Sequence, residues 1–337
     1  MANIFISGAT GYIGAQLSLK LAAQGQQVRA LVRNPEKMKY IRHPNISGVE
    51  GSLHKVDALQ QAMAGCSEVY HVAALAGVWH PDPQAFYKIN VEGSLNILEA
   101  AHRAGVRRVV LTSTAGVMGP TPDGNPVQEH TNANPNLTTA YEQSKLEAEQ
   151  KTLHYAEQHG LELVIVNPSR VYGPGQWSES NGVTKMIRGY AAGTWRLIPG
   201  DGHSIGNYVF IDDVLNGHLL AMEKGRPGER YILGGENASY IDFFETLAQL
   251  TGRRHSMFRL PPGAMLAFSH LQQFLADSFG RRPMITPPFV RKFVRHWPLS
   301  SEKAERELGY TITSLEEGIR RTLAWLGSGQ NDRFNSI

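Results

Sequence analysis

Cysteine is almost missing from this chain. Cys66 stands alone among 337 residues, so no internal disulfide can form and the fold must rest on its apolar core. That fits a reducing, cytoplasmic setting. Long apolar runs are missing too: none approaches the ~18 residues that a membrane-crossing helix needs. A first strand expected to start at Asn3 leaves no room for a charged leader with an apolar signal region. The thirteen histidines are scattered, with no HExxH and no paired cysteines, so neither a structural nor a catalytic metal is expected. Repeats and low-complexity blocks are absent. The net charge of +3 is small, and no nucleic-acid-binding motif accompanies it, which argues against DNA or RNA as a partner.

What is present describes an ordinary globular protein, 42% apolar and 19% charged, long enough for one large or two smaller domains. Short β-branched runs alternate with amphipathic stretches through the first half. Strands are predicted at Asn3–Ser7, Gln27–Val32, Ser47–Glu50, Glu68–Val72, Val106–Thr112 and Leu161–Val166. Helices are predicted at Gly14–Gln24, His54–Ala64, Pro83–Arg103 and Thr138–His159. Runs such as Val109-Val110-Leu111 and Leu163-Val164-Ile165-Val166 are apolar throughout, as expected where helices cover both faces of a sheet. The alternation implies an α/β fold with a doubly wound parallel sheet. Past Asn167-Pro168 the rhythm changes and a smaller, mainly helical C-terminal substrate region is expected. The division read from this is a nucleotide-binding domain over 1–167, with 207–226 returning to it. A substrate-binding region covers 168–206 and 227–326, and a flexible tail 327–337.

Between the first strand and the first helix lies Gly8-Ala9-Thr10-Gly11-Tyr12-Ile13-Gly14. Glycines at that spacing permit a tight turn and close backbone approach, and the helix start offers free N–H groups to a pyrophosphate. The end of the second strand then selects the dinucleotide. A carboxylate there would bind ribose hydroxyls, whereas an arginine suits a 2′-phosphate. The chain has Arg33, followed by Lys37, so NADP is favoured over NAD. The alternative is that Arg33 lies over the adenine face, which would admit either cofactor.

A second constellation follows. Thr112-Ser113-Thr114 ends a strand, and Tyr141 and Lys145 stand four apart on a predicted helix, hence on one face. A free phenol titrates near ~10, and a neighbouring ammonium together with an oxidised nicotinamide would lower it, making Tyr141 a proton donor and acceptor near neutrality. Thr114 would hold the substrate oxygen against Tyr141, and Lys145 would also bind the nicotinamide ribose. Taken alone, the Tyr-x-x-x-Lys run reads equally as a solvated helix face; the strand end and the glycine turn are what give it meaning.

Together these residues resemble the extended short-chain dehydrogenase/reductase superfamily over nearly the whole chain. His71-Val72-Ala73-Ala74, Asn90-Val91-Glu92-Gly93-Ser94, Asn167-Pro168-Ser169-Arg170-Val171-Tyr172-Gly173-Pro174, Ile211-Asp212-Asp213-Val214 and Ser301 to Tyr310 stand in family order. The stretches Gly217–Ala221 and Gly228–Asn237 are most similar to the dihydroflavonol-4-reductase-like branch, which includes hopanoid-associated sugar epimerases. The resemblance implies a Rossmann-type sheet. It also implies a cofactor site built from Gly8, Thr10, Gly11, Tyr12, Ile13, Gly14, Arg33, Lys37, Ser52, Leu53, Ala73, Ala74, Asn90, Thr112, Tyr141 and Lys145, with Pro168, Ser169 and Val171 flanking the nicotinamide. Three positions depart from the pattern: Thr114 replaces the usual serine, Ser52 stands where an aspartate commonly contacts adenine, and Gly206 stands where sugar epimerases often carry an arginine. The last departure argues against a nucleotide-sugar substrate.

Between Arg253 and His296 eight basic residues face Asp277 alone, a balance of +7 that leaves −4 for the rest. Within it, Met265, Leu266, Phe268, Leu271, Phe274, Leu275 and Phe279 recur at helical spacing. The first reading is a core-facing amphipathic helix; the second is a peripheral contact with an anionic membrane or a lipid-like substrate. Trp79 and Trp177, in loops where a pocket would open, are expected as substrate walls beside Thr114 and Tyr141. Taken together, the residues point to an NADP(H)-dependent oxidoreductase of a ketone, aldehyde or secondary alcohol in a partly apolar small molecule. A sugar epimerase with transient oxidation and a non-catalytic NADP sensor are its rivals, and a homodimer through the long helices is compatible with all three.

Overall fold

Successive residues of the central strands serve two different cores, which is why those strands read as unbroken apolar runs. The computed structural model describes residues 3–77, 79–121, 124–131, 137–178 and 181–328. Its first half runs β1 (Asn3–Ser7), α1 (Tyr12–Ala23), β2 (Gln27–Val32), β3 (Ile46–Glu50), α2 (Val56–Met63), β4 (Glu68–His71), α3 (Gln84–Tyr87), α4 (Gly93–Arg103), β5 (Arg108–Thr112), α5 (Ala140–His159) and β6 (Glu162–Pro168). Ile4, Ile6, Val110, Val164 and Val166 pack on one face of the sheet with Leu17 and Leu21 of α1. Phe5, Val109, Leu111, Leu163 and Ile165 pack on the other with Leu59, Ile97 and Leu98 of α2 and α4. The two-residue strand period divides them between the layers.

The second half runs β7 (Arg170–Tyr172), α6 (Gly182–Ala191), β8 (Leu197–Pro199), β9 (Ile205–Phe210), α7 (Ile211–Lys224), β10 (Arg230–Leu233), β11 (Glu236–Ser239), α8 (Tyr240–Thr251), β12 (Phe258–Leu260), α9 (Pro262–Phe279), α10 (Pro287–Phe293), α11 (Glu302–Leu308) and α12 (Leu315–Gly327). The main sheet has seven strands in the order β10-β6-β5-β4-β1-β2-β3. Every pairing in it is parallel. This is the Rossmann-type doubly wound arrangement, and it reverses its winding between β1 and β4, opening a crevice at their carboxyl ends. Smaller sheets, β11-β9-β7 and β12-β8, lie outside it.

Two expectations need correcting, and one gains a detail. Arg230–Leu233 is the seventh strand of the main sheet, paired with β6, and not part of the substrate region. Only four residues long and reached after a long excursion from β6, it has little periodic signal of its own. The single helix expected over Pro83–Arg103 is continuous and widens into a π turn at Lys88–Glu92, where the fully buried Asn90 turns inward. The amphipathic helix α9 does not face the core: Phe268, Leu271, Phe274 and Phe279 are all exposed. Of the expected tail, 329–337 lies outside the described residues.

The helix that carries the tyrosine and lysine is settled by its caps and its buried face. The Thr139 hydroxyl accepts the Glu142 N–H at 3.2 Å and donates to the Glu142 carboxylate at 2.8 Å, fixing the start of α5. Gly160, at φ 64°, ends it in the left-handed conformation. Lys145, Ala148, Glu149, Thr152 and Ala156 lie toward the sheet, and Lys145 is only 1% exposed, so this face of α5 is not a solvated one.

Candidate active site

A cleft of about 960 Å³ follows the carboxyl ends of β1, β2, β4 and β5. It is large enough for a dinucleotide and a small partner together. Its first wall is the glycine turn. Gly8 sits at φ 72°, and a Cβ there would lie 2.6 Å from the Ala73 nitrogen. A Cβ on Gly14 would lie 2.2 Å from the Gly8 carbonyl oxygen, so α1 and β1 can approach only because position 14 has none. Around Gly11 the nearest atom is the Gly8 oxygen at 3.3 Å, leaving that side open to the cleft. No side chain caps the start of α1 and no acidic residue stands in its first turn, as an anion-binding helix end requires.

Among the described residues the cleft lining carries Arg33, Lys37, His54 and Lys292 and no aspartate or glutamate. Arg33 and Lys37 are exposed at the end of β2, beside Ser52 and Leu53 from the end of β3. Across the crevice, Ala73 and Ala74 continue β4. Beneath them the ring of His71 joins the two strand ends. Ser94 gives its proton to the Asn90 carbonyl at 2.6 Å, so His71 Nε2–H donates to Ser94 Oγ at 2.9 Å. His71 Nδ1 then accepts from the Ser7 hydroxyl at 2.5 Å, and that hydroxyl in turn accepts the Ala73 N–H. Burial holds His71 down to about 3, and the Lys145 charge acts in the same direction, so the imidazole is neutral.

At the other end of the cleft Thr114 and Tyr141 stand together in the lining, and the Thr114 hydroxyl acts to lower the Tyr141 phenol. Thr114 begins a short 3-10 turn and accepts the Gly116 N–H at 3.1 Å. The Lys145 ammonium lies one layer behind, donating to the Thr112 carbonyl at 2.7 Å, and burial lowers it to about 8. The lowering expected for Tyr141 includes the charge of an oxidised nicotinamide; the protein groups alone act the other way. Burial, reinforced by the neighbouring Glu142 charge, pushes Tyr141 up to about 12, with the Thr114 hydroxyl opposing them. The hydroxyls of Ser113 and Ser169, both on the cleft wall, are buried without a protein partner. Together with the open side of Gly11 and the uncapped α1, they fit the polar groups of a dinucleotide.

Of the residues singled out from sequence, the glycine turn, Thr10, Tyr12, Ile13, Arg33, Lys37, Ser52, Leu53, Ala73, Ala74, Thr112, Thr114, Tyr141, Pro168, Ser169 and Val171 line this one cleft. Lys145 and Asn90 do not. Asn90 is fully buried behind the wall, accepting the Leu75 N–H at 2.7 Å and donating to the Leu75 carbonyl and to Ser144, so it holds Leu75 in place. Trp79 is absent from the lining. So is Trp177, whose ring packs between Arg188 and Trp325 of α6 and α12. Sequence reasoning missed Phe289 and Lys292 as cleft residues. They come from α10, nearly the length of the chain away from the glycine turn, and no local pattern announces them. Lys292, partly exposed, forms an ion pair with the buried Glu142, next to Tyr141, and lies over the Trp297 ring. The cation missing at Gly206 is also replaced. The Arg170 guanidinium fills the space a side chain at 206 would take, held 3.3 Å from the hydroxyls of Tyr208 and Tyr240, though outside the cleft lining.

Residues 4–234 match the model of the NAD dependent epimerase/dehydratase family. The chain is 35% identical to a protein of Synechocystis sp. provisionally named dihydroflavonol 4-reductase, over 95% of this chain and 93% of that one. It is 32% identical to sterol demethylase protein B of Methylococcus capsulatus, over 95% and 97% respectively. Among solved structures, the UDP-glucose 4-epimerase of Thermotoga maritima with UDP-glucose superposes at a TM-score of 0.80 and 26% identity, covering 96% of this chain and 98% of that chain. With a glycine turn, a Thr/Tyr pair and a buried lysine set on a parallel sheet of this order, the chain belongs to the NAD dependent epimerase/dehydratase family and is an NAD(P)-dependent oxidoreductase.

Proposed function

We propose that this oxidoreductase uses NADP(H) to reduce a ketone or aldehyde in a partly apolar small molecule. The observation that carries the reading is one continuous cleft with cations and no carboxylate at its nucleotide end and the Thr114–Tyr141 pair at the other. Arg33 and Lys37 would hold a 2′-phosphate, and the first turn of α1 the pyrophosphate. The bound cofactor supplies the hydride. Thr114 orients the substrate oxygen, and Tyr141 delivers the proton to it. The buried phenol, pushed up by its surroundings, holds its proton at neutral pH, as the donor in a reduction must. Lys145 fixes the end of β5 through the Thr112 carbonyl and so sets the position of Thr114.

The test is turnover of a panel of apolar ketones and aldehydes with NADPH and with NADH, followed by the absorbance of the reduced nicotinamide. NADPH should be preferred by about tenfold or more, and Arg33→Ser should remove most of that preference, since one charge-assisted contact contributes ~1.5–3 kcal/mol. A preference for NADH in the unaltered chain refutes the cofactor assignment. Arg170 gives the epimerase reading a specific basis, because it returns a cation beside Gly206. Product from a nucleotide sugar without lasting change in reduced nicotinamide would favour that reading.

A further inference from the structure

The helix α9 turns its apolar face away from the protein. Its buried positions are only Met265, Ser269 and Ala276. Phe268, Leu271, Phe274 and Phe279 are 47%, 54%, 61% and 69% exposed. Positions 268, 271, 275 and 279, with 267, 271, 274 and 278 beside them, follow helical spacing, so these side chains share one outward stripe. Phe258 on β12, just ahead of α9 in the chain, is 63% exposed, and Met284, whose N–H donates to the Gln272 side chain of α9 at 3.3 Å, is 80% exposed. Isolated apolar side chains on a surface are ordinary, but six within residues 258–284, four of them on one stripe of α9, call for a partner.

Charge identifies the partner. Arg253, Arg254 and Arg259 precede the stripe and Arg281 and Arg282 follow it, all exposed, while Asp277 is the sole acidic residue from 253 to 296. A second copy meeting this face across a two-fold axis would bring like charges together. An anionic bilayer complements both properties at once: its surface attracts arginines, and its acyl boundary takes up aromatic and aliphatic side chains. No helix among the described residues is long and apolar enough to cross a membrane, so α9 would lie in the plane of the interface. The neighbouring α10 packs on α9 and presents Phe289 and Lys292 to the cleft.

We propose that the outward face of α9, with Phe258 and Met284, docks the protein on an anionic phospholipid bilayer, from which an apolar substrate reaches the cleft that α10 lines. Only the substrate half of this proposal rests on the reductase reading. The test is co-sedimentation of the full chain with vesicles of phosphatidylcholine alone and of phosphatidylcholine with phosphatidylserine. The expected result is partition onto the anionic vesicles that weakens with salt. Partition should drop about tenfold or more in Phe268→Ser/Phe274→Ser, because two inserted aromatic side chains are lost. It should drop with loss of salt dependence in Arg254→Glu/Arg281→Glu. These positions are exposed, so turnover of a freely soluble carbonyl compound with NADPH should stay within about twofold of the unaltered chain, as expected for surface changes. Leu271→Ser alone provides a milder variant should the double change disturb folding. Docking is overturned if the chain binds anionic vesicles no better than neutral ones, or if the serine variants partition unchanged. It is also overturned if the chain ignores vesicles and forms a homodimer that the serine variants dissolve. Vesicle binding without turnover of any carbonyl compound would instead sink the reductase reading and leave docking intact.

Discussion

Acidification from pH 7 to pH 5 should weaken this fold through two buried histidines. His71 is held at about 3, by burial first and the Lys145 charge second. His218 is held at about 4 by burial, against an opposing hydrogen bond to Val214. Its tautomer is fixed: Nδ1–H donates to the Val214 carbonyl at 2.7 Å, and Nε2 accepts from the Thr112 hydroxyl at 2.8 Å. Both rings stay neutral in the native state across this range, whereas in the unfolded chain each takes up a proton near ~6.5. The unfolded state therefore binds more protons as pH falls below ~6.5, and stability drops until the native pKa values are reached. For one such histidine the linkage integral between pH 7 and pH 5 is about 2 kcal/mol, so the pair gives about 4 kcal/mol.

The choice of pH 5 isolates the effect. Glu307, raised by burial but held below the usual carboxylate range by the combined pull of Arg306, Tyr231 and Arg226, and Glu317, held down first by Arg321, lose their contributions only at lower pH. Asp213, raised by burial, shifts stability in the opposite direction. Urea unfolding of the unaltered chain and of His218→Gln at both pH values checks the reasoning. The variant should start less stable at pH 7 but lose about 2 kcal/mol less on acidification, with the urea slope unchanged. An equal loss in both proteins would show that His218 is not the neutral, buried ring described here.

Three further outcomes follow from the same geometry. Gly14→Ala should abolish the thermal shift given by NADPH, because its Cβ would lie 2.2 Å from the Gly8 oxygen, while Gly11→Ala, with 3.3 Å, should keep a reduced one. Lys145→Met should stop turnover yet raise stability at pH 7. Burial lowers the lysine to about 8, so its charged form is penalised fully below that pH and the cost is relieved toward ~10; removing it gains about 3 kcal/mol, less about 1 kcal/mol for the bond to Thr112. Thermal melts at pH 7 and pH 9.5 should show the gain over the unaltered chain shrinking at the higher pH. Lys292→Met leaves the Glu142 carboxylate buried without its cation and should cost about 3 kcal/mol in urea unfolding, whereas the double variant with Glu142→Gln should recover much of that loss.

What the sequence disclosed and what it hid divide along a physical line. The glycine turn, the two-faced strands and the four-residue spacing of Tyr141 and Lys145 are local, because backbone clearance, strand period and helix pitch each act over a few residues. The resemblance ordered them further, yet it could not say that Lys145 stands behind Thr112 and not in the cleft wall, since that depends on how deeply α5 sits against β5. The push that the protein groups give Tyr141 was hidden for the same reason. An i, i+4 pair guarantees proximity on a helix, but desolvation and the buried Glu142 are tertiary facts, and here they outweigh it. Phe289 and Lys292 reach the cleft only through the packing of α10. The apolar period of α9 was legible and its direction was not, because a hydrophobic stripe states that something must cover it without stating what. An outward stripe flanked by arginines, next to a helix that lines the cleft, joins the surface of this protein to its chemistry: the element that would meet lipid packs against the element whose lysine grips Glu142 beside Tyr141.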